Sequence, residues 1–400
     1  MSNKKLRHVF LYSFGELVSK GVPFALLPYL TRKLGTEGFG ELSYYLSIVA
    51  VIMIFISLSQ EAATLSYYYK KGKNALPYLI VSGFLINLVM SFLVSYILYF
   101  YFKNIFVLVV LASFSVVYSF YLAVLQAQQK VKQYICVQII CALLIALFTF
   151  VFLEYNISDF VNKRLESLIV AYMLVSTPFL IFFVKNIRKI NVRKTKLYST
   201  YIVSYGIPLI LHQLGIYVKG QLDRIFIYQQ YSKSELGIYS AGVQVAALLP
   251  VMLLAINKAV IPYYYQSLRE NSLTISVIKK YALYSLPLCV FPALVAWCIP
   301  EQFFLWFLGQ DYANSKYYIV MYLLGFGLTL PYLLLVNYFF YHGKNLVISK
   351  ITLTAALLYL VLLWFLSSKG IMLVPYALIL SNILLILLLW TVLSKVEVNK

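Results

Sequence analysis

Seven ionised side chains interrupt otherwise apolar runs of this sequence: Glu16, Lys20, Glu61, Lys219, Asp223, Arg224 and Lys258, with His212 close to one group of them. Their types suit ionic chemistry rather than bond cleavage. Lysine offers a point charge and arginine a bidentate fork, and both recognise anions. The carboxylates balance such cations when no ligand is present, or carry a coupling ion. Helical spacing groups the residues. Ser13, Glu16 and Lys20 share one face; Ser57, Glu61, Thr64 and Tyr68 form a stripe; His212, Lys219 and Asp223 form another. Glu16–Lys20 and Lys219–Asp223 are also i, i+4 pairs, so a purely structural ion bridge stays open for each. His212 reads either as a hydrogen-bonded packing residue or as a proton relay.

The surroundings of these charges set their cost. Of the 400 residues, 62% are hydrophobic and 12% charged, with a mean hydropathy of +0.84, well beyond a soluble domain. This is the composition of an integral membrane protein. Apolar runs bounded by charge, Gly or Pro predict twelve spans, at 8–33, 41–66, 78–102, 104–127, 134–153, 167–184, 200–230, 237–262, 281–300, 317–341, 347–367 and 371–393. They are continuous rather than alternating, which excludes a β-barrel pattern. The interrupted opening run, with no small-residue cleavage site after it, reads as a retained first span rather than a signal peptide. Lys20 then lies about 18 Å along that helix, too deep to reach the near surface. An intramembrane charge costs at least about 2.5–3.5 kcal/mol, so these residues need partners or a wet cavity. They are confined to the first two predicted spans of each half, while Lys163 and Arg164 read as loop charges.

The basic loops orient the chain. Lys70, Lys71 and Lys73, Lys130 and Lys132, and the run from Lys185 to Lys196 fall on one face, as do both ends of the sequence, and the positive-inside rule makes that face cytoplasmic. The net charge of +20 is therefore mainly a topology signal, and a nucleic-acid partner is not expected. The dense basic run near 184–199 divides the chain into an N-lobe, 1–190, and a C-lobe, 191–400, of six spans each. A shift of 197 residues lays LGTEGFGELS (34–43) on YSKSELGIYS (231–240), aligning Gly40 with Gly237 and Ser43 with Ser240. Six spans per half make this a parallel repeat. The same shift puts Glu61 beside Lys258 in repeat position, an opposite-sign pair suited to closing the inner mouth. Pro23, Pro28, Pro208 and Pro250 lie within charged spans and are the expected bending points.

Several function classes are unsupported by any motif. No GxxxxGK[ST] loop points to nucleotide hydrolysis, and no HExxH, CxxC or His-Cys cluster points to a metal. Cys136, Cys141, Cys289 and Cys298 sit in apolar runs as small hydrophobes. The tyrosine clusters at 66–69 and 262–265 read chiefly as interfacial belts. The predicted outer loops are short, which argues against an outer-face enzyme.

LLPYLTRKLGTEGFGELSYYLSIVAV (26–51) and DRIFIYQQYSKSELGIYSAGVQV (223–245) resemble the paired segments of the polysaccharide transporters of the multidrug/oligosaccharidyl-lipid/polysaccharide exporter superfamily, in particular Wzx-type O-antigen flippases. The resemblance implies an all-α fold of twelve transmembrane helices in two MATE/MurJ-like lobes, in the bacterial inner membrane. It implies no enzyme activity. The implied cargo is an undecaprenyl-diphosphate-linked oligosaccharide moved from the cytoplasmic to the periplasmic leaflet by alternating access. Lys20, Lys219, Arg224 and Lys258 would then meet the diphosphate. Glu16, Glu61, Asp223 and His212 would be counter-charges or carry H+ or Na+, with no other cofactor. A polysaccharide polymerase and a chain-length regulator are candidate partners. The alternatives are a cation-coupled multidrug exporter of the same superfamily and a membrane polysaccharide polymerase or ligase.

Overall fold

The computed structural model describes residues 15, 19–99, 105–155, 158–187 and 191–398. Among these the regular structure is helical, as lipid demands of any open chain whose backbone must satisfy itself. Eleven helical stretches are long and apolar enough to cross a membrane, from 27–71 to 371–395. They coincide with the second to twelfth predicted spans. Of the first, 8–33, residues 8–14 and 16–18 lie outside the described residues, and the rest is helical apart from a turn at Leu26.

In chain order the helices are α1 (Leu27–Ser57), α2 (Gln60–Lys71), α3 (Leu76–Leu98), α4 (Ile105–Ala127), α5 (Val131–Glu154), α6 (Phe160–Ile187) and α7 (Val192–Gly220). They continue with α8 (Leu222–Gln230), α9 (Lys233–Ala246), α10 (Leu248–Arg269), α11 (Ile275–Tyr284), α12 (Leu286–Cys298), α13 (Glu301–Leu308), α14 (Ser315–Gly327), α15 (Thr329–Tyr341), α16 (Asn345–Ser367) and α17 (Val374–Val398).

Two compact units result. The C-terminal unit combines residues 27–43 with everything described from Val218 onward, and the N-terminal unit combines Tyr44–Tyr217 with the described residues before 27. This partition differs from the linear halves in two segments, 27–43 and 191–217. Within the C-terminal unit the reason is a close helix crossing. A Cβ on Gly40 would stand 1.9 Å from the Lys233 carbonyl oxygen, and one on Gly237 would stand 1.9 Å from that of Thr36. Only glycine permits this approach. Thr36 and Lys233 are themselves related by the 197-residue shift, so the crossing is reciprocal, as the repeat requires. The Ser234 hydroxyl donates to Thr36 Oγ1 at 2.8 Å and Lys233 pairs with Glu41 at 2.9 Å alongside it. The corners match too: Gly35, with φ 66°, turns the chain within α1, and Ser232 caps α9 through a capping box with Glu235.

In the N-terminal unit α7 packs on α2 and α3 through Ile202 and the tyrosines around it. The contact is tightest at Gly206, where a Cβ would lie 1.9 Å from the Leu58 carbonyl oxygen. Leu58 and Ser59 both have left-handed backbone, φ 43° and 51°, and interrupt the second span between α1 and α2.

One expectation fails here. Arg164 is a buried residue of α6, at 6% exposure, and not a loop charge. The helix starts at Phe160, earlier than the predicted span, so the guanidinium reaches the hydroxyls of Thr149 and Ser167. A charge therefore lies inside a span outside the four expected to hold them all.

Candidate functional site

The described candidate residues divide between the units. In the C-terminal unit, Lys219, Asp223 and Arg224 converge where the seventh predicted span breaks: α7 ends at Gly220, Gln221 adopts φ −143°, and α8 begins at Leu222. A helix end frees backbone carbonyls. Arg224 Nη1 donates to the freed Gly220 oxygen at 2.9 Å and, at 2.9 Å, to Asp223 Oδ1. Asp223 is only 2% exposed. Its Oδ1 also accepts the Arg224 backbone N–H at 3.0 Å, and its Oδ2 accepts the hydroxyls of Tyr322, at 3.1 Å, and Tyr239. Those tyrosines, from α14 and α9, hydrogen-bond each other. Asp223 is thus a fully partnered buried anion, which is the condition under which burial of a charge is tolerated.

Lys219 has a different environment. The break takes it off the helical face of Asp223, so the i, i+4 bridge does not form. Its ammonium is half-buried and donates at 2.7 Å to Oδ1 of Asn382 on α17, whose Nδ2 donates at 2.9 Å to the Gly325 carbonyl. Because Nδ2 is committed to a carbonyl, the amide oxygen must face the lysine. The hydrogen bond of Lys219 is satisfied, and its charge meets no carboxylate among the described residues. Lys258, on α10 of the same unit, is exposed and has a partner of its own.

In the N-terminal unit Glu61 occupies the first turn of α2, half-buried, just beyond the Leu58–Ser59 interruption. The interruption separates Ser57 from the rest of its predicted stripe. Gln213 Nε2 donates to Ser59 Oγ at 2.8 Å, tying α7 to this point. Lys20 and His212 are exposed. Glu16 lies outside the described residues.

Asn382, Tyr239, Tyr322 and Arg164 did not emerge as site residues from sequence. Asn382 is neutral within an apolar run, and tyrosines are too abundant here, at 37, to single out two of them. No signal marked either.

Long apolar helices with buried polar clusters among them define a multi-pass membrane protein. The same fold is seen in the lipid II flippase MurJ in an inward closed conformation (TM-score 0.71, 11% identity, covering 97% of this chain and 87% of that one). It is also seen in an outward-facing MATE family multidrug resistance transporter of the MOP superfamily (TM-score 0.64, 12% identity, covering 99% and 97%). At the sequence level, "Lsg locus putative protein 1" of Haemophilus influenzae is 37% identical over 397 residues, 98% of this chain and 99% of that protein. A second membrane protein of that organism is also 37% identical, over 399 residues. Residues 6–268 match the family described as "Polysaccharide biosynthesis protein", and the chain belongs to that family.

Proposed function

We propose that this protein flips undecaprenyl-diphosphate-linked oligosaccharides, such as O-antigen repeat units, from the cytoplasmic to the periplasmic leaflet of a bacterial inner membrane. Alternating access between lobes 1–190 and 191–400 carries the headgroup while the lipid tail stays in the bilayer. The family assignment supports polysaccharide work, and the fold shared with a lipid II flippase supports a lipid-linked saccharide as cargo. The observation that carries the reading is Lys219, a half-buried cation with a neutral partner, suited to one end of a diphosphate. Lys20, Lys258 and Arg224 are the further cationic contacts, Arg224 after exchange of its bond to Asp223. Glu16, Glu61, Asp223 and His212 are counter-charges or carriers of H+ or Na+. Polymerase and chain-length regulator are partners in this scheme.

The test is restoration of surface polysaccharide in a strain lacking its flippase. Lys219→Ala is expected to abolish it at normal membrane abundance, and Lys219→Arg to keep part of it. Wild-type polysaccharide from Lys219→Ala, or extrusion of a cationic dye with no effect on polysaccharide, would overturn the assignment.

A further inference from the structure

We infer that the N-terminal unit holds a separate site for the headgroup of an anionic phospholipid, such as phosphatidylglycerol, in a cavity of about 700 Å³ at its basic end. The volume lies within the roughly 300–1,000 Å³ of small-ligand sites. Three parts of the unit build it: the α2–α3 turn, the α4–α5 turn and the end of α6. Tyr68, Asn74, Gln128 and Lys130 supply its polar lining, and Pro77 and Phe182 part of its apolar wall.

Two observations point to a ligand. Asn74 and Lys130 are exposed, Tyr68 and Gln128 half-buried, and the four polar side chains, from three separate parts of the unit, converge on one open concavity. Together they offer an ammonium, two amides and a phenol, a donor set for a phosphate and its glycerol hydroxyls. The charge around the cavity is also one-signed. Exposed Lys70, Lys71, Lys132 and Lys185 flank its turns. Lys194, held 5.5 Å over the Tyr78 ring, adds the start of α7 to the same end, where Ser82 Oγ donates to the Thr195 carbonyl at 3.1 Å.

The apolar wall is as informative as the cations. Phe182 is 40% exposed, so the cavity presents hydrocarbon as well as charge at its margin. A free anion would gain nothing from that wall, whereas a phospholipid places its headgroup among the donors and its first methylenes against the ring. The positive-inside rule puts this end in the cytoplasmic leaflet, where anionic headgroups are supplied by the membrane itself.

The experiment measures retained phospholipid by native mass spectrometry on the full chain, released from phosphatidylcholine vesicles made with and without phosphatidylglycerol. Lys130→Gln is compared with Lys132→Gln, a neighbour on the same turn that does not line the cavity and carries the same charge change. Wild type and Lys132→Gln are expected to retain phosphatidylglycerol, and Lys130→Gln to retain about tenfold less, the loss of one charge-assisted contact. Both lysines are exposed, so folding is not at stake. Equal losses from the two variants would mean diffuse surface attraction and would overturn the site. So would no retention by wild type, or displacement of the lipid by inorganic phosphate.

Discussion

Replacing Asn382 by aspartate changes one atom of the Lys219 environment and reverses its electrostatics. The ammonium and the amide oxygen are 2.7 Å apart, so a carboxylate oxygen in the same place would attract the lysine by about 6 kcal/mol at an effective dielectric near 20. A phosphate oxygen of the cargo at similar range would gain a comparable amount, so the carboxylate competes with it directly. After desolvation, a charge-assisted contact is worth about 1.5–3 kcal/mol, which is about ten- to a hundredfold in affinity. Asn382→Asp is therefore expected to weaken binding of a diphosphate-linked lipid in proteoliposomes by that factor; its second carboxylate oxygen cannot donate to the Gly325 carbonyl as Nδ2 does, so the unfolding midpoint is measured alongside to separate lost affinity from lost stability. Asn382→Ala, which removes the acceptor and leaves the charge, is expected to lose far less affinity. If Asn382→Asp binds the lipid like wild type, Lys219 does not contact the diphosphate.

Two further outcomes probe the scaffold. Gly237→Ala would force its new Cβ, placed 1.9 Å from the Thr36 oxygen, to push α1 and α9 apart by more than an ångström; the expected cost is about 1–3 kcal/mol, read as a lower unfolding temperature in detergent. An unchanged midpoint would mean the crossing does not pack as described. Asp223→Ala strands Arg224 without its anion and is expected to cost about 3–5 kcal/mol, whereas Asp223→Ala with Arg224→Leu regains much of it because no charge is left buried. A double variant no more stable than Asp223→Ala would show that the pair is not coupled.

Hydropathy made most of the fold legible, because a helix in lipid satisfies its own backbone and needs only local sequence to form. The 197-residue shift paired Gly40 with Gly237 on sequence alone, and in the C-terminal unit these two glycines meet at one crossing. Helix interruptions were harder to read. Proline marked two of the interruptions, the turn at Leu26 just before Pro28 and the change from α9 to α10 at Ala247 just before Pro250, yet α7 runs through Pro208, and further breaks fall at Leu58–Ser59 and Gly220–Gln221, where no proline stands. At these two breaks freed backbone groups find nearby side chains, the Ser59 N–H donating to Ser57 Oγ and the Gly220 oxygen accepting from Arg224, which no propensity rule foresees.

What the sequence determined by itself was which residue types sit in which apolar spans, and hence that a membrane chain carries charges needing an explanation. Which of those charges are neutralised was decided by tertiary structure: Asp223 finds Arg224 and two tyrosines, Lys219 finds an amide and no carboxylate among the described residues, and Arg164 reaches hydroxyls of Thr149 and Ser167. The physical reason is that a buried ion's partner is whatever donor or acceptor lies within about 3 Å, and helices far apart in sequence supply it.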